Sequence, residues 1–161
     1  MYRKSNQIMI MWFMDYGIKA TEKNDDVYYF VNWSPLSKAD KYEIIAKVPA
    51  VAGIFEIYWM DESNHLRLFF VEKTIYGGLR SEIQRVTDPE LVKTNEKVRK
   101  ILEEKEIWYR YTTTNSAKIM DDVVWFLMQT YLPEDTSTNH SGRYKDIFLK
   151  ESAPDKLLWV P

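Results

Sequence analysis

Two strand-like segments joined by a short polar turn constrain the fold of this chain more than any other feature. Ala52–Met60 (AGIFEIYWM) and Leu66–Lys73 (LRLFFVEK) are rich in aromatic and branched apolar residues, and Asp61–His65 between them is polar. This pattern predicts an antiparallel β-hairpin. Because parallel strands need long crossover connections, so tight a hairpin argues against an all-parallel sheet.

The remaining elements alternate between strand and helix around this hairpin. In chain order we predict a strand over Val27–Trp33, a helix from Pro35 to Val48 capped by Ser34, a helix over Leu79–Val86, a helix beginning at Asp88-Pro89, a strand over Ile107–Thr112, a helix from Asn115 or Ser116 to Tyr131, and a late strand over Asp146–Lys150. This order favours an α+β fold, in which the hairpin and a third strand form a small antiparallel sheet flanked by helices.

The length of 161 residues fits one domain. We expect a core at residues 48–133, an N-terminal strand/helix extension at residues 1–47 packed on it, and a C-terminal loop and strand at residues 134–161. The apolar run Ile8–Met14 is interpreted as a strand or a short buried helix, since it is too short to span a bilayer and no small-residue cleavage site follows it. We therefore expect a cytoplasmic protein with no membrane partner.

Composition narrows the classes of function. Apolar residues make up 45% of the chain and aromatic residues 15%, which is enough for a packed core and excludes disorder over most of the length. The apolar stripe of Val123, Val124 and Leu127 predicts the buried face of the last helix. The absence of cysteine excludes disulfides, thiolate metal sites and a cysteine nucleophile. A formal net charge of −2 gives no support to tight non-specific binding of nucleic acid, which usually shows as a basic domain.

Several common catalytic patterns are missing from the sequence. It contains no phosphate loop, no dinucleotide-binding glycine fingerprint, no HExxH and no GxSxG. The two histidines, His65 and His140, lack the spacing of metal ligands. Asp121 and Asp122 form a tempting carboxylate pair, but adjacent residues of a helix point about 100° apart and do not face one another.

A series of segments nevertheless follows the order of a known domain. VPAVAGIFEIYW is followed by FFVEKT, then by GGLRSEIQR, then by a strand, and then by a helix that ends in YLP. With this order and spacing, residues 48–133 resemble the GIY-YIG nuclease domain, which is named for two short motifs on neighbouring hairpin strands. Gly53-Ile54-Phe55 corresponds to the first motif and Phe70-Val71-Glu72 to the second, while Arg80 falls at the spacing of the family's helical arginine.

The resemblance implies a three-stranded antiparallel sheet with flanking helices, and cleavage of nucleic-acid phosphodiesters with a divalent metal. In that family the motif tyrosines activate or orient the attacking group, the arginine stabilises phosphate charge, and a helical glutamate holds the metal. Here Phe55 and Phe70 occupy both tyrosine positions, so neither phenol is present to accept a proton. Val124 stands where the metal glutamate is expected and supplies no oxygen ligand, and Asp121, nearly one turn earlier, is the nearest substitute.

The best-matched functional position is Arg80, which is the candidate phosphate ligand. Arg85, Arg110 and Arg143 are candidates to join it in an anion-binding patch. Gly77-Gly78 precede a helix start, where backbone amides can meet a phosphate; alternatively, they form a chain-reversing turn that needs positive φ. The aromatic residues that could stack on bases, or alternatively fill the core, are Trp59, Tyr76, Trp108, Tyr109 and Tyr111.

Three hypotheses of function remain open at this stage. The first is a catalytically impaired GIY-YIG-like domain that retains weak anion or nucleic-acid binding through Arg80 and needs no cofactor. The second is a protein-interaction module on the same fold, with an aromatic surface for its partner. The third is an active nuclease with a rearranged site, in which Tyr58 or Tyr76 supplies the phenol and Asp121 or Glu72 holds Mg²⁺. We rank them in this order.

Overall fold

A computed structural model of the chain describes residues 16–154. In this range the protein has an α+β fold with two small sheets and four helices, which confirms the predicted class. The strands are β1 (Ile18–Lys23), β2 (Asp26–Asn32), β3 (Ser37–Lys38), β4 (Gly53–Met60), β5 (Leu66–Thr74), β6 (Ile107–Thr113) and β7 (Asp146–Ser152). The helices are α1 (Lys41–Lys47), α2 (Leu79–Thr87), α3 (Glu96–Glu104) and α4 (Ala117–Tyr131). The predicted element at Ile8–Met14 lies outside the described residues.

The larger sheet contains the predicted hairpin and the predicted third strand. Its strand order is β3-β6-β4-β5, and β4 pairs antiparallel with β5 on one side and with β6 on the other. The turn between β4 and β5 is held by the Asp61 side chain, which accepts hydrogen bonds from the amides of Ser63 and His65, both at 2.9 Å. A bulge between Ile57 and Tyr58 shifts the register with β5. The hairpin and third strand are confirmed.

A second sheet, with strand order β1-β2-β7, was not predicted from the sequence. β1 pairs antiparallel with β2, and β7 pairs parallel with β2 along its whole length. The segment of β1 lacks an alternating apolar pattern because nearly every residue of this edge strand is exposed. β1 and β2 of the N-terminal extension therefore form a separate sheet with β7, whereas β3 joins the larger sheet.

The predicted helix start at Ser34-Pro35 is wrong. Ser34 instead fixes the chain to β6, since its hydroxyl accepts a hydrogen bond from the Tyr111 amide at 2.9 Å. The following residues form the short strand β3, which pairs antiparallel with β6. The helix begins only at Lys41, and Asp40 caps it by accepting hydrogen bonds from two backbone amides at 3.0 Å. Two capping signals lie close together here, and the later one starts the helix.

The helix predicted to begin at Asp88-Pro89 also starts later. Asp88 accepts a hydrogen bond from the Glu90 amide at 2.9 Å and so makes a turn rather than a helix start. Helix α3 begins at Glu96, where the Asn95 side chain caps it through the Val98 amide at 3.1 Å. The predicted cap of α4 is confirmed for Ser116, whose hydroxyl accepts from the Ile119 amide.

The larger sheet separates two apolar cores. One face packs against α1, α2 and α3, with Phe55, Ile57 and Tyr109 pointing into that core. The other face packs against α4 and the inner face of the second sheet. The buried residues of α4 include Val123, Val124 and Leu127, which are 0%, 5% and 0% exposed and confirm the predicted stripe.

Candidate functional site

Arg80 lies in the first turn of α2 and is oriented by the main chain. Its Nε donates a hydrogen bond to the carbonyl oxygen of Val48 at 2.7 Å, which ties the start of α2 to the end of α1. The side chain is half-buried. Of the six arginines within residues 16–154, Arg80 alone forms no ion pair with a described carboxylate. Its positive charge is therefore held in place without being neutralised by those residues.

The Gly77-Gly78 turn positions Arg80 but offers no evident phosphate cradle. Gly78 has φ of 77°, and a Cβ there would lie 3.2 Å from the carbonyl carbon of Ala50. The amides of Leu79 and Arg80 donate to the carbonyls of Val51 and Pro49 at 2.8 and 3.3 Å. Because these first amides of α2 already have partners, the geometry favours the turn interpretation of the two glycines.

Phe55 and Phe70 occupy apolar surroundings beneath α2. Phe55 is fully buried and belongs to the same core cluster as Leu79 and Ile83 of α2. Phe70, which pairs with Ile57 across the hairpin, packs against this cluster and is half-buried. Both rings therefore serve as core residues on the Arg80 side of the sheet.

Asp121 and Val124 lie on the opposite side of the sheet. Val124 belongs to the core between α4 and the sheet. Asp121 forms an ion pair with Lys73 of β5 at the surface. The larger sheet therefore stands between Arg80 and Asp121, and the structure does not bring these two side chains together.

The four predicted arginines do not form one patch. Arg85 pairs with Glu82 at 2.8 Å and with Glu72 at 3.6 Å on the surface of α2. Arg143 lies on the far side of the sheet, 3.6 Å from Asp122. Arg110 also points to the far side and is only 3% exposed. Arg80 and Arg85 share a helix, and the other two are separated from them by the sheet.

A buried network of charged groups around Arg110 was missed by the sequence analysis. The Arg110 Nε donates to Oε2 of Glu56 at 2.7 Å, and a terminal nitrogen donates to Glu151 at 3.3 Å. Its guanidinium lies 4.5 Å from the ring centroid of Trp33. The phenol of Tyr58 donates to the same Glu56 oxygen. The sequence did contain a signal for this network. Each of two apolar strands holds one charged residue, Glu56 in GIFEIYWM and Arg110 in IWYRYT.

Electrostatics in this network reflect competition between burial and pairing. Burial raises the pKa of Glu56, which has no exposed surface, while the Arg110 guanidinium pulls that pKa back down. Burial and the nearby Glu56 charge both raise the pKa of the Tyr58 phenol, so this phenol is a hydrogen-bond donor rather than a base near neutral pH. Tyr58 is therefore poorly suited to the role of catalytic phenol.

The other parts of the rearranged nuclease site are also dispersed. Tyr76 is 99% exposed in the loop before α2, whereas Glu72 pairs with Arg85. Within residues 16–154, no group of three or more acidic or histidine side chains is arranged to hold a metal ion. No catalytic constellation is assembled from these candidates.

A shallow cleft of about 240 Å³ lies between α4 and the loop before β7. Its walls include Trp125, His140, Tyr144 and Lys145. The rings of Trp125 and His140 meet edge to face, with centroids 5.0 Å apart. The candidate residues for binding phosphate and metal, Arg80, Asp121 and Glu72, do not line this cleft.

The aromatic residues singled out from the sequence are mostly packed rather than exposed. Tyr109 is 2% exposed, and Trp59 and Tyr111 pack against the core beneath the helices. Trp108 is partly exposed, and Tyr76 is almost fully exposed. The exposed rings that the sequence analysis missed are Tyr28, Phe30 and Phe148 on the second sheet. Alternation within VYYFVNW was the signal, because it places Tyr28 and Phe30 on the face opposite the buried residues of β2.

Fold and site together define an α+β domain of two sheets that has one oriented arginine without an ion pair and, among residues 16–154, no group of three or more side chains suited to hold a metal ion. A family model described as "Uncharacterised protein" matches residues 17–161, and the chain belongs to that family. No curated protein and no solved structure matches the chain. Within residues 16–154, every helix is too short or too polar to cross a bilayer.

Proposed function

We propose that this protein is a catalytically impaired, GIY-YIG-like domain that binds nucleic acid weakly through a phosphate contact at Arg80. The observation that carries the proposal is the state of this arginine. Its Nε is bound by the Val48 carbonyl, and no described carboxylate neutralises it. A guanidinium held in this way can donate its remaining N–H groups to phosphate oxygens.

The arrangement of residues 53–131 supports the GIY-YIG-like part of the proposal. β4 is the central strand of an antiparallel β5-β4-β6 unit, and α2, α3 and α4 accompany it. This agrees with the three-stranded sheet and flanking helices that the resemblance implies. Arg80 lies at the start of the helix that follows the hairpin.

The surroundings of the motif positions support the loss of catalysis. Phe55 has no hydroxyl group with which to accept a proton or orient water, and it is fully buried in an apolar core. Val124 is buried on the other face of the sheet and has no oxygen ligand. An arginine that holds substrate and transition state equally well gives no acceleration. The domain is therefore a binder on a nuclease-like scaffold, and Mg²⁺ has no assigned role.

The experiment compares Arg80→Ala with Arg99→Ala for binding to labelled DNA and RNA at low and high salt. Arg99 is the matched control, since it is a half-exposed helical arginine already paired with Glu96 at 3.7 Å. Binding that falls with salt, is lost in Arg80→Ala and persists in Arg99→Ala supports the proposal. An equal loss of binding in both variants would show that binding depends only on net charge. Unchanged binding in Arg80→Ala would reject the proposed site.

A protein-interaction module is the second candidate function. Apolar side chains are exposed around the loop that leads into α2: Val51 is 44% exposed, Ile75 41% and Tyr76 99%. Exposed apolar groups of this kind favour a protein partner. This function would be favoured if the domain binds a protein partner, if that binding does not change with salt and is lost in Tyr76→Ala, and if the domain does not bind nucleic acid.

A further inference from the structure

The second sheet presents an ordered set of side chains on the face that points away from the core, which we call the outer face. Its residues fall into three rows across the three strands, as fixed by the strand register. The rows are Lys19, Phe30 and Lys150; Thr21, Tyr28 and Phe148; and Lys23, Asp26 and Asp146. Two aromatic rings thus lie on the central strand β2 and one on its neighbour β7, and a lysine lies on either side of Phe30.

The rings of the outer face are exposed, and two of them are nearly parallel. Tyr28 and Phe148 are each 44% exposed, and Phe30 is 38% exposed. The rings of Tyr28 and Phe148 stack with centroids 4.9 Å apart and an angle of 14° between their planes. Large rings clustered on a sheet face, rather than scattered singly, are characteristic of a binding surface.

The charges on this face favour an anionic partner at one end. Lys19 and Lys150 flank Phe30, and neither forms an ion pair with any residue in the range 16–154. The two aspartates, Asp26 and Asp146, lie in the row farthest from these lysines. Because a carbohydrate or an apolar peptide does not need two cations beside an aromatic row, this combination selects a ligand with both flat rings and negative charge.

We propose that the outer face binds single-stranded nucleic acid, with unpaired bases stacked on Tyr28, Phe30 and Phe148 and backbone phosphates near Lys19 and Lys150. Bases in a duplex are already stacked on one another, so only unpaired bases can lie on protein rings. Neighbouring strands are about 4.8 Å apart, which lets successive rings on one sheet face meet successive bases. The proposal rests on the proposed function for its class of ligand but uses none of the residues near Arg80.

The test measures binding of the full chain to a labelled oligo-dT or oligo-U and to a duplex of equal length. We expect the single strand to bind more tightly than the duplex. Tyr28→Ala should weaken single-strand binding about 5- to 150-fold, the range for loss of one base–aromatic stack, whereas Tyr28→Phe should retain it. Tyr42→Ala is the control, since Tyr42 is a 76% exposed tyrosine on α1.

The variants also separate this surface from Arg80. Loss of binding in Tyr28→Ala and Lys150→Ala with binding retained in Arg80→Ala supports the outer face and rejects the Arg80 site; the reverse result overturns the present proposal. A urea titration verifies that Tyr28→Ala is folded, and if it is not, Lys150→Ala decides. Self-association of the protein that is lost in Tyr28→Ala, without binding to oligonucleotide, would overturn the proposal and assign the face to a second copy.

Discussion

Glu56 and Arg110 lie opposite each other on β4 and β6, and their side chains form an ion pair with almost no exposure to solvent. The Arg110 Nε lies 2.7 Å from Oε2 of Glu56, and the two side chains are 3% and 0% exposed. The other carboxylate oxygen of Glu56 has no hydrogen-bond partner among the described residues. Charges in such surroundings are costly unless each keeps its partner.

Arg110→Ala is therefore expected to destabilise the protein by about 3–5 kcal/mol, because it leaves Glu56 buried without its counterion. Urea denaturation measures the change. Lys47→Ala is the control, since the Lys47–Glu43 pair is exposed and its loss should cost less than about 1 kcal/mol. A cost for Arg110→Ala as small as that of the control would show that Glu56 becomes protonated or hydrated without penalty.

Leu127→Ala should cost about 2–5 kcal/mol, the usual range when a buried leucine is truncated. Leu127 is fully buried in the core between α4 and the two sheets. Gln129→Ala on the exposed side of the same helix should change stability by less than about 0.5 kcal/mol. Similar urea midpoints for the two variants would contradict the assignment of the buried face.

Gly53→Ala should also destabilise the protein, by about 1–3 kcal/mol, the usual cost of overpacking. A Cβ at Gly53 would lie 2.2 Å from the carbonyl oxygen of Thr112 on β6 and 2.9 Å from a methyl of Leu79. Gly17→Ala is the control, because its new Cβ would meet nothing closer than 3.6 Å. Thermal denaturation compares the two, and an equal shift of Tm would show that β4 and β6 separate easily.

The free energy of unfolding should fall in alkaline solution, because buried tyrosines ionise more readily once unfolding has exposed them to water. Burial raises the pKa of Tyr111 to about 12, with further contributions from Tyr16 and Tyr109. An unfolded tyrosine ionises near pH 10, whereas Tyr111 in the folded protein stays neutral to a higher pH. The contribution of Tyr111 to the free energy of unfolding is therefore fully present below pH 10 and is lost as the pH rises from 10 towards 12. Tyr111→Phe should therefore lose less stability than the unsubstituted protein between pH 9 and pH 11.5, as measured by urea midpoints. An identical loss in both proteins would refute this assignment.

No cleavage of single-stranded, double-stranded or branched DNA, or of RNA, is expected in Mg²⁺ or Mn²⁺. Phe55→Tyr should not produce cleavage either, since the new phenol would lie in an apolar core, across the sheet from Asp121. Gel assays with purified protein measure this. Cleavage that is abolished by Arg80→Ala would instead establish the rearranged nuclease.

Patterns that depend on local periodicity were predictable from the sequence. The hairpin, β6, α2 and α4 all carry an apolar pattern bounded by turn or capping residues, and their bounds agree with the structure to within one or two residues. The helix starts at Ser34-Pro35 and Asp88-Pro89 were wrong because a capping residue fits several positions and the sequence does not rank them. Asp40 and Asn95 take that role through their contacts with backbone amides.

Features that depend on distant residues were not predictable in the same way. β1 is recognisable only through its pairing with β2, and β7 finds a parallel partner far back in the chain. The separation of Arg110 from Arg80 follows partly from strand parity, which turns Arg110 away from the sheet face that α2, the helix of Arg80, covers. A sequence shows charge and spacing, but the face on which a charge lies depends on the register of strands that meet only in the folded protein.

The parallel pairing of β2 with β7 has a consequence for the order in which the protein folds. Asp26 meets Asp146, 120 residues later, so this contact closes a very long loop. A chain emerging from the ribosome can complete β4, β5, β6 and α4 before β7 exists. Until β7 arrives, one edge of β2 is unpaired and Arg110 lacks Glu151, its second carboxylate. Among the strands in residues 16–154, β7 is the last to be synthesised, and it completes both the second sheet and the set of carboxylates around Arg110 in the larger sheet.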